Sequence, residues 1–156
     1  MVNVLFVCMG NICRSPTAEG VFRHMVAEAD HGDAITIDSS GMAGWHAGKA
    51  PDSRSQAAAR RRGIEIGDLR ARQTNASDFH RFDYILGMDD ENMADLAAIC
   101  PAGREGRMHR MLDFAKDTSV REVPDPYYGA TGFDDVLDLI ENASQGLLAH
   151  IVTRDL

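Results

Sequence analysis

Cys8, Arg14 and Ser15 stand at Cys-x5-Arg-Ser spacing, just behind the apolar run Val2-Asn3-Val4-Leu5-Phe6-Val7. A thiol and a guanidinium this close in sequence are the parts of a nucleophilic, anion-handling site. The thiolate is the attacking form of cysteine, and the planar arginine fork matches two phosphate oxygens at once. Between them lie Met9, Gly10, Asn11, Ile12 and Cys13, a short stretch that breaks at Gly10-Asn11. The chain restarts as a helix, with Ser15 the expected N-cap and Pro16 the expected first helical position. Strand, tight loop and helix start, in that order, make a cradle where loop N–H groups and the positive helix end converge on one oxyanion. Such a field favours a thiolate. A cysteine ending a buried strand is also a common small core hydrophobe, so Cys8 taken alone leaves both readings open. Nucleotide loops are excluded, because the chain has neither Gly-Lys-Ser/Thr nor Gly-x-Gly-x-x-Gly at this place.

The elements that must position this loop are legible from periodicity. Ala18, Val21, Phe22, Met25, Val26 and Ala29 recur at helical spacing and predict an amphipathic helix that ends at His31-Gly32-Asp33. Ile35-Thr36-Ile37 predicts a second strand, and the glycines of Ser39–Gly48 predict a loop that carries the only Trp, Trp45. A lone Trp is commonly a packing residue, but one flanked by Gly is better placed to wall a groove. A helix is expected from Pro51-Asp52 to Arg60-Arg61-Arg62-Gly63, its final arginines explained by the helix dipole. Gly67 to Ser77 reads as irregular. Phe82–Met88 predicts a buried strand, followed by a helix capped by Asp89 or Asp90 and ending before Pro101, with Cys100 a structural residue. Met108–Leu112 is a weaker strand. Thr131 with Asp134 predicts a cap for a last helix whose apolar face is Phe133, Val136, Leu137, Ile140, Leu147, Leu148 and Ile151.

Strands that alternate with helices predict a three-layer α/β fold, with a central, mainly parallel sheet of about four strands and a phosphate-binding loop after the first. In such sheets ligands bind at the carboxyl ends of the strands. The 156 residues suit a single domain over 1–156, with no internal repeat and no linker. No apolar run approaches membrane-spanning length, and the N-terminus lacks a basic region ahead of its apolar run, so a cytoplasmic protein without a secretory signal is expected. Three cysteines make no disulfide framework and suit a reducing compartment. A formal net charge of -8 speaks against nucleic acid as partner and gives no long-range attraction for an anion, so anion recognition has to be local.

The chain resembles the low-molecular-weight protein tyrosine phosphatases from end to end. The resemblance rests on Val4–Pro16, on Gly44-Trp45-His46 and Pro51-Asp52-x-Arg54, and on Asp125-Pro126-Tyr127-Tyr128. It implies that Cys8 is the nucleophile, Arg14 the phosphate clamp and Asp125 the general acid. It also implies that Asn11 and Ser15 hold the loop and steady the thiolate, and that Trp45 and Tyr127 or Tyr128 wall an aromatic slot. One departure stands out: the family often has a histidine two residues before the Ala-Arg-Gln triplet, supporting the loop through Asn, and here that residue is Leu69.

The implied reaction is in-line attack by Cys8 on phosphorus, with Asp125 protonating the leaving phenol and then drawing a proton from the water that releases phosphate. No metal or other cofactor is expected, because Arg14 and the loop amides supply the positive potential. Expected partners are a phosphotyrosine protein or small aryl phosphate, inorganic phosphate as product, and a cognate tyrosine kinase. Two other readings share the loop: an arsenate reductase, which needs two further relay cysteines where this chain offers Cys100, and a phosphate-binding module without turnover. Cys13 is either packing behind the loop or a second thiol able to close a disulfide with an oxidised Cys8.

Overall fold

The computed structural model describes residues 1–129 and 131–156. Its frame is a four-stranded, all-parallel sheet in the order β2-β1-β3-β4. The strands are β1 (Val2–Cys8), β2 (Ile35–Gly41), β3 (Tyr84–Gly87) and β4 (Met108–Arg110). The helices are α1 (Arg14–Glu28), α2 (Ser53–Arg60), the single turn α3 (Asp78–Arg81), α4 (Asp90–Ile99) and α5 (Phe133–Asp155). Among the described residues no helix is long and apolar enough to cross a membrane.

β1 is a central strand, and its alternation sorts the core. Val2, Val4, Phe6 and Cys8 join the cluster that includes Val21 and Phe22 of α1 and Leu137 and Ile140 of α5. Leu5 and Val7 join the one that includes Phe79 of α3 and Leu96 of α4. A strand with helices on both faces needs apolar residues at every position, which explains the near-continuous run in the sequence. Register pairs Cys8 with Gly41, and Val7 with Gly87, which in turn pairs with Arg110. The carboxyl ends therefore lie side by side, with the Cys8 loop above them.

Several local expectations are corrected. Ser15 is not the N-cap of α1: the helix begins at Arg14, with Cys13 as cap residue, and the Thr17 hydroxyl donates back to the Cys13 carbonyl (2.7 Å). The Ser15 hydroxyl is thereby free to serve the loop. α1 stops at Glu28, where Asp30 takes the left-handed conformation (φ 59) and the His31 N–H reaches the Val26 carbonyl (3.0 Å), so the stop precedes Gly32. β2 runs on to Gly41, beyond Ile37, because it is the partner of the whole of β1. Gly67–Ser77 is irregular, as its composition implied, but its backbone bridges Gly41 at Gln73. Thr131 does not cap α5; Gly132 (φ 99) is its N-cap residue.

Candidate active site

The loop from Cys8 to Arg14 owes its curl to Asn11, a non-glycine residue with φ 58. Asparagine tolerates this region better than most side chains. The turn brings the Asn11 N–H to 3.3 Å from Cys8 Sγ, and Ser15 Oγ lies 3.0 Å from the same sulfur. The Asn11 side chain pins the curl from inside: its Nδ2 donates to Ser15 Oγ (2.7 Å) and Ser39 Oγ (3.0 Å), and its Oδ1 accepts from the Arg72 N–H (3.0 Å). These partners hold Asn11 without a histidine. Leu69, in the position noted above, packs instead against the core. Gly41 must be glycine here, since a Cβ would lie 2.9 Å from the Gly10 carbon and the Met9 oxygen.

Arg14 is almost fully buried at 2% exposure. Its Nη1 meets Asp89 Oδ2 at 2.6 Å and the Val123 carbonyl at 3.0 Å, and its Nη2 lies 3.6 Å from Asp125 Oδ2. Burial opposes its charge, but Cys8, Asp89 and Asp125 outweigh that and hold the guanidinium protonation above its ordinary range. Asp89 does two jobs, capping α4 through the Asn92 N–H (2.8 Å) and anchoring Arg14.

Asp125 reaches this point because its segment is tied at both ends. The Val123 N–H donates to the Met88 carbonyl just after β3 (2.8 Å), and the Tyr127 N–H donates to Asp125 Oδ1 (3.1 Å). Pro124 and Pro126 fix φ on either side. Arg54 braces the far side, donating to the carbonyls of Tyr127 (2.9 Å) and Gly129 (2.7 Å) while paired with Asp52, whose own N–H donates to the Ile12 carbonyl (2.7 Å). One strut thus links the loop to the acid segment.

These elements enclose a narrow cleft of about 40 Å3. Cys8 and Arg14 line it beside Met9, Gly10, Ile12 and Cys13, and its walls are Trp45, His46, Asp125, Tyr127 and Tyr128. Trp45 (70% exposed) and Tyr128 (85%) stand out at the rim, with Tyr127 edge-on to Tyr128 at 5.0 Å. Asn11 and Ser15 are buried beneath the loop and are not among the lining residues. Cys13, although it borders the cleft, is buried, its thiol pushed up to about 12 by burial foremost, with Asp52, Cys8 and Asp125 adding to the rise and a hydrogen bond with Ser55 opposing it. Cys100 belongs to the other face of the sheet, packed against the cluster of Leu5, Phe79 and Phe82. A larger, open groove of about 490 Å3 at the opposite end of the sheet, beside Tyr84, His109 and His150, holds no nucleophilic thiol.

The sequence assigned no part in the site to His46, Asp89, Ser39 or Arg54. In the sequence His46 stood only within Gly44-Trp45-His46 of the resemblance; in the structure a Cβ on Gly10 would stand 3.0 Å from its Cδ2, so Gly10 is what lets the ring sit over the loop. Asp89 was expected only as a helix cap.

The assembly as a whole is an α/β fold with a thiol-bearing anion cradle after its central strand, an arginine fork beside it and a carboxyl group across the cleft. A family model described as low molecular weight phosphotyrosine protein phosphatase matches residues 3–155, and the chain belongs to that family. It is 42% identical to the low molecular weight protein-tyrosine-phosphatase YfkJ of Bacillus subtilis, over 97% of this chain and 96% of that protein. It is 40% identical to the low molecular weight phosphotyrosine protein phosphatase of Schizosaccharomyces pombe, over 96% and 97% respectively. Among solved structures, a protein tyrosine phosphatase of Entamoeba histolytica with Hepes in its active site superposes with a TM-score of 0.96 at 37% identity, covering 100% of both chains.

Proposed function

We propose that the protein hydrolyses phosphotyrosine and small aryl phosphates through a phosphocysteine intermediate on Cys8, with Arg14 as phosphate clamp and Asp125 as general acid. The observation that carries this reading is the convergence on one cleft of a thiol, an anchored guanidinium and a carboxyl group. Cys8 Sγ already receives the Asn11 N–H and lies within reach of the Ser15 hydroxyl, and both contacts stabilise a thiolate. Attack on phosphorus spreads charge over equatorial oxygens, which the fork of Arg14 and the amides of Met9–Cys13 receive. Asp125, which lines the same cleft 3.6 Å from Arg14 Nη2, protonates the leaving phenol and afterwards draws a proton from the attacking water. Inorganic phosphate leaves.

A phosphotyrosine ring lies between Trp45 and Tyr127 and Tyr128, while phosphoserine is too short to bring phosphorus to Cys8 and still touch those walls. The substrate is a phosphotyrosine protein or a small aryl phosphate, a cognate tyrosine kinase is the partner that supplies the phosphorylated protein, and the protein works in the cytoplasm as one domain. Its positive potential comes from Arg14 and the loop, so catalysis needs no metal. The test is release of p-nitrophenolate from p-nitrophenyl phosphate in the presence of chelator. Turnover is expected in the wild type and a loss of several orders of magnitude in Cys8→Ser; full activity in Cys8→Ser overturns the assignment.

A further inference from the structure

Glu19 is a carboxyl group at 4% exposure that the reaction does not use. It lies one turn beyond Ser15 on α1, and Arg23 lies one turn further, so the three form a stripe at i, i+4 spacing. Glu19 Oε1 is 2.6 Å from Ser39 Oγ, and its other oxygen pairs with Arg23. Burial of a carboxylate is expensive and is rarely retained without a partner that needs it.

We propose that Glu19 is a positioning residue for the thiolate of Cys8, acting through the hydrogen-bond chain Glu19–Ser39–Asn11–Ser15–Cys8. The proposal rests on Cys8 being the nucleophile. The direction of the chain is fixed by one backbone group: the Arg72 N–H donates to Asn11 Oδ1, so the Asn11 amide cannot flip and its Nδ2 must donate to both hydroxyls. Ser39 Oγ is thereby an acceptor from Asn11, and its own hydrogen goes to Glu19. Ser15 Oγ is likewise an acceptor from Asn11, which leaves its hydrogen for Cys8 Sγ at 3.0 Å or the Ser40 carbonyl at 3.3 Å. An ionised Glu19 is the one member with no hydrogen to give, so it terminates the chain. Donation to an anion makes Ser39 Oγ the stronger acceptor for Asn11, which steadies the amide that holds both the loop curl and Ser15.

The charged groups around Glu19 are Arg23 on its own helix, Asp38 on β2, which is paired with Arg72, and Asp68 after α2. Burial first, then the two aspartates, raises the Glu19 carboxyl above its ordinary value, while Ser39 and Arg23 draw it back.

The experiment follows alkylation of Cys8 by iodoacetamide against pH, read by fragmentation of the Met1–Arg14 peptide so that Cys13 is counted apart. Alkylation reports thiolate directly and does not require turnover, so its outcome is separate from that of the phosphatase assay. Glu19→Gln and Ser39→Ala are each expected to move the midpoint up by about half to one pH unit, the effect of one ordinary hydrogen bond. The double variant should move it no further, and Ser39→Thr, which keeps the hydroxyl, should retain the wild-type midpoint. An unmoved or lowered midpoint in folded Glu19→Gln overturns the proposal, as do additive shifts in the double variant. If Glu19→Gln does not fold, an unmoved midpoint in Ser39→Ala overturns it equally.

Discussion

Arg14 Nη2 stands 3.6 Å from Asp125 Oδ2, so the clamp and the acid face each other across the cleft at ion-pair distance but beyond hydrogen-bond range. The opposite side of the same guanidinium is fixed, at 2.6 Å to Asp89 and 3.0 Å to the Val123 carbonyl. Arg14 thus has an anchored edge and a working edge. Asp125 is about one-third exposed, its side chain at 35%, and is the partner free to adjust when a phosphoryl group comes between them.

The first prediction follows from that division. Asp125→Asn should slow phosphotyrosine by about 10²–10⁴, since general-acid help matters when the leaving oxygen is basic. An aryl phosphate with a strongly acidic phenol should lose far less. Steady-state rates on a series of aryl phosphates of graded phenol acidity check this, and equal losses across the series would remove Asp125 from the role.

Asp89 gives a second prediction. Asp89→Asn keeps an acceptor for the Asn92 N–H, so the cap of α4 survives, but it strips a buried guanidinium of its charge partner. Breaking such a pair costs about 3 kcal/mol. Chemical denaturation should show that loss, and competitive inhibition by phosphate should weaken because the fork is no longer held in place. A variant that binds phosphate as tightly as the wild type would mean that Val123 alone fixes Arg14.

How far the sequence carried these residues depends on the range of the interaction. The loop, β1 and α1 were legible because strand, cradle and helix are contiguous and each has its own local period. The boundary errors share one cause. Ser15 and Thr131 carry N-cap chemistry locally, but Ser15 is claimed by Asn11 and Cys8, and Gly132 takes the cap position of α5. Asp89 lies 75 residues from Arg14 and Ser39 28 residues from Asn11, so nothing local marks either contact. Leu69 reads as a gap in the loop support, yet the Arg72 N–H and Ser39 fill it, and a backbone donor leaves no trace in residue types.

The rim gives a third prediction. Trp45 is 70% exposed and packs on little of the fold, so Trp45→Ala should leave stability within about 0.5 kcal/mol while narrowing the preference for phosphotyrosine over phosphoserine. Ratios of kcat/KM on paired peptides measure it. A wild type that turns over both peptides equally well would show that the aromatic walls select nothing.

His109 ties stability to pH. Burial, and then neighbouring His150, lowers it below its ordinary 6.5, with Asp113 opposing. A histidine less readily protonated in the fold than in the unfolded chain contributes stability that is present above 6.5 and lost as pH falls from there through the lowered value. His109→Gln should therefore flatten the decline in unfolding free energy as pH falls below 6.5. Denaturant titrations at several pH values read this slope, and an unchanged slope would assign the acid sensitivity elsewhere.

The last prediction concerns Cys13. Peroxide converts the Cys8 thiolate to a sulfenic acid, and attack by Cys13 would then form the Cys8–Cys13 disulfide with loss of water. The folded loop works against this step: Cys13 is buried and its thiol is pushed up to about 12, so little attacking thiolate exists while the cradle is intact. Disulfide formation must therefore follow loosening of the loop, and phosphate in the cradle should slow both steps. Wild-type enzyme treated with peroxide should regain activity with dithiothreitol, and Cys13→Ser should regain much less because its Cys8 proceeds to forms that thiols do not reduce. Ser55→Ala removes the hydrogen bond that eases ionisation of Cys13 and should resemble Cys13→Ser in part. Mass spectrometry of the oxidised wild type decides the matter: a Cys8–Cys13 linkage is expected, and a Cys8–Cys100 linkage would instead require a chain rearranged across both faces of the sheet.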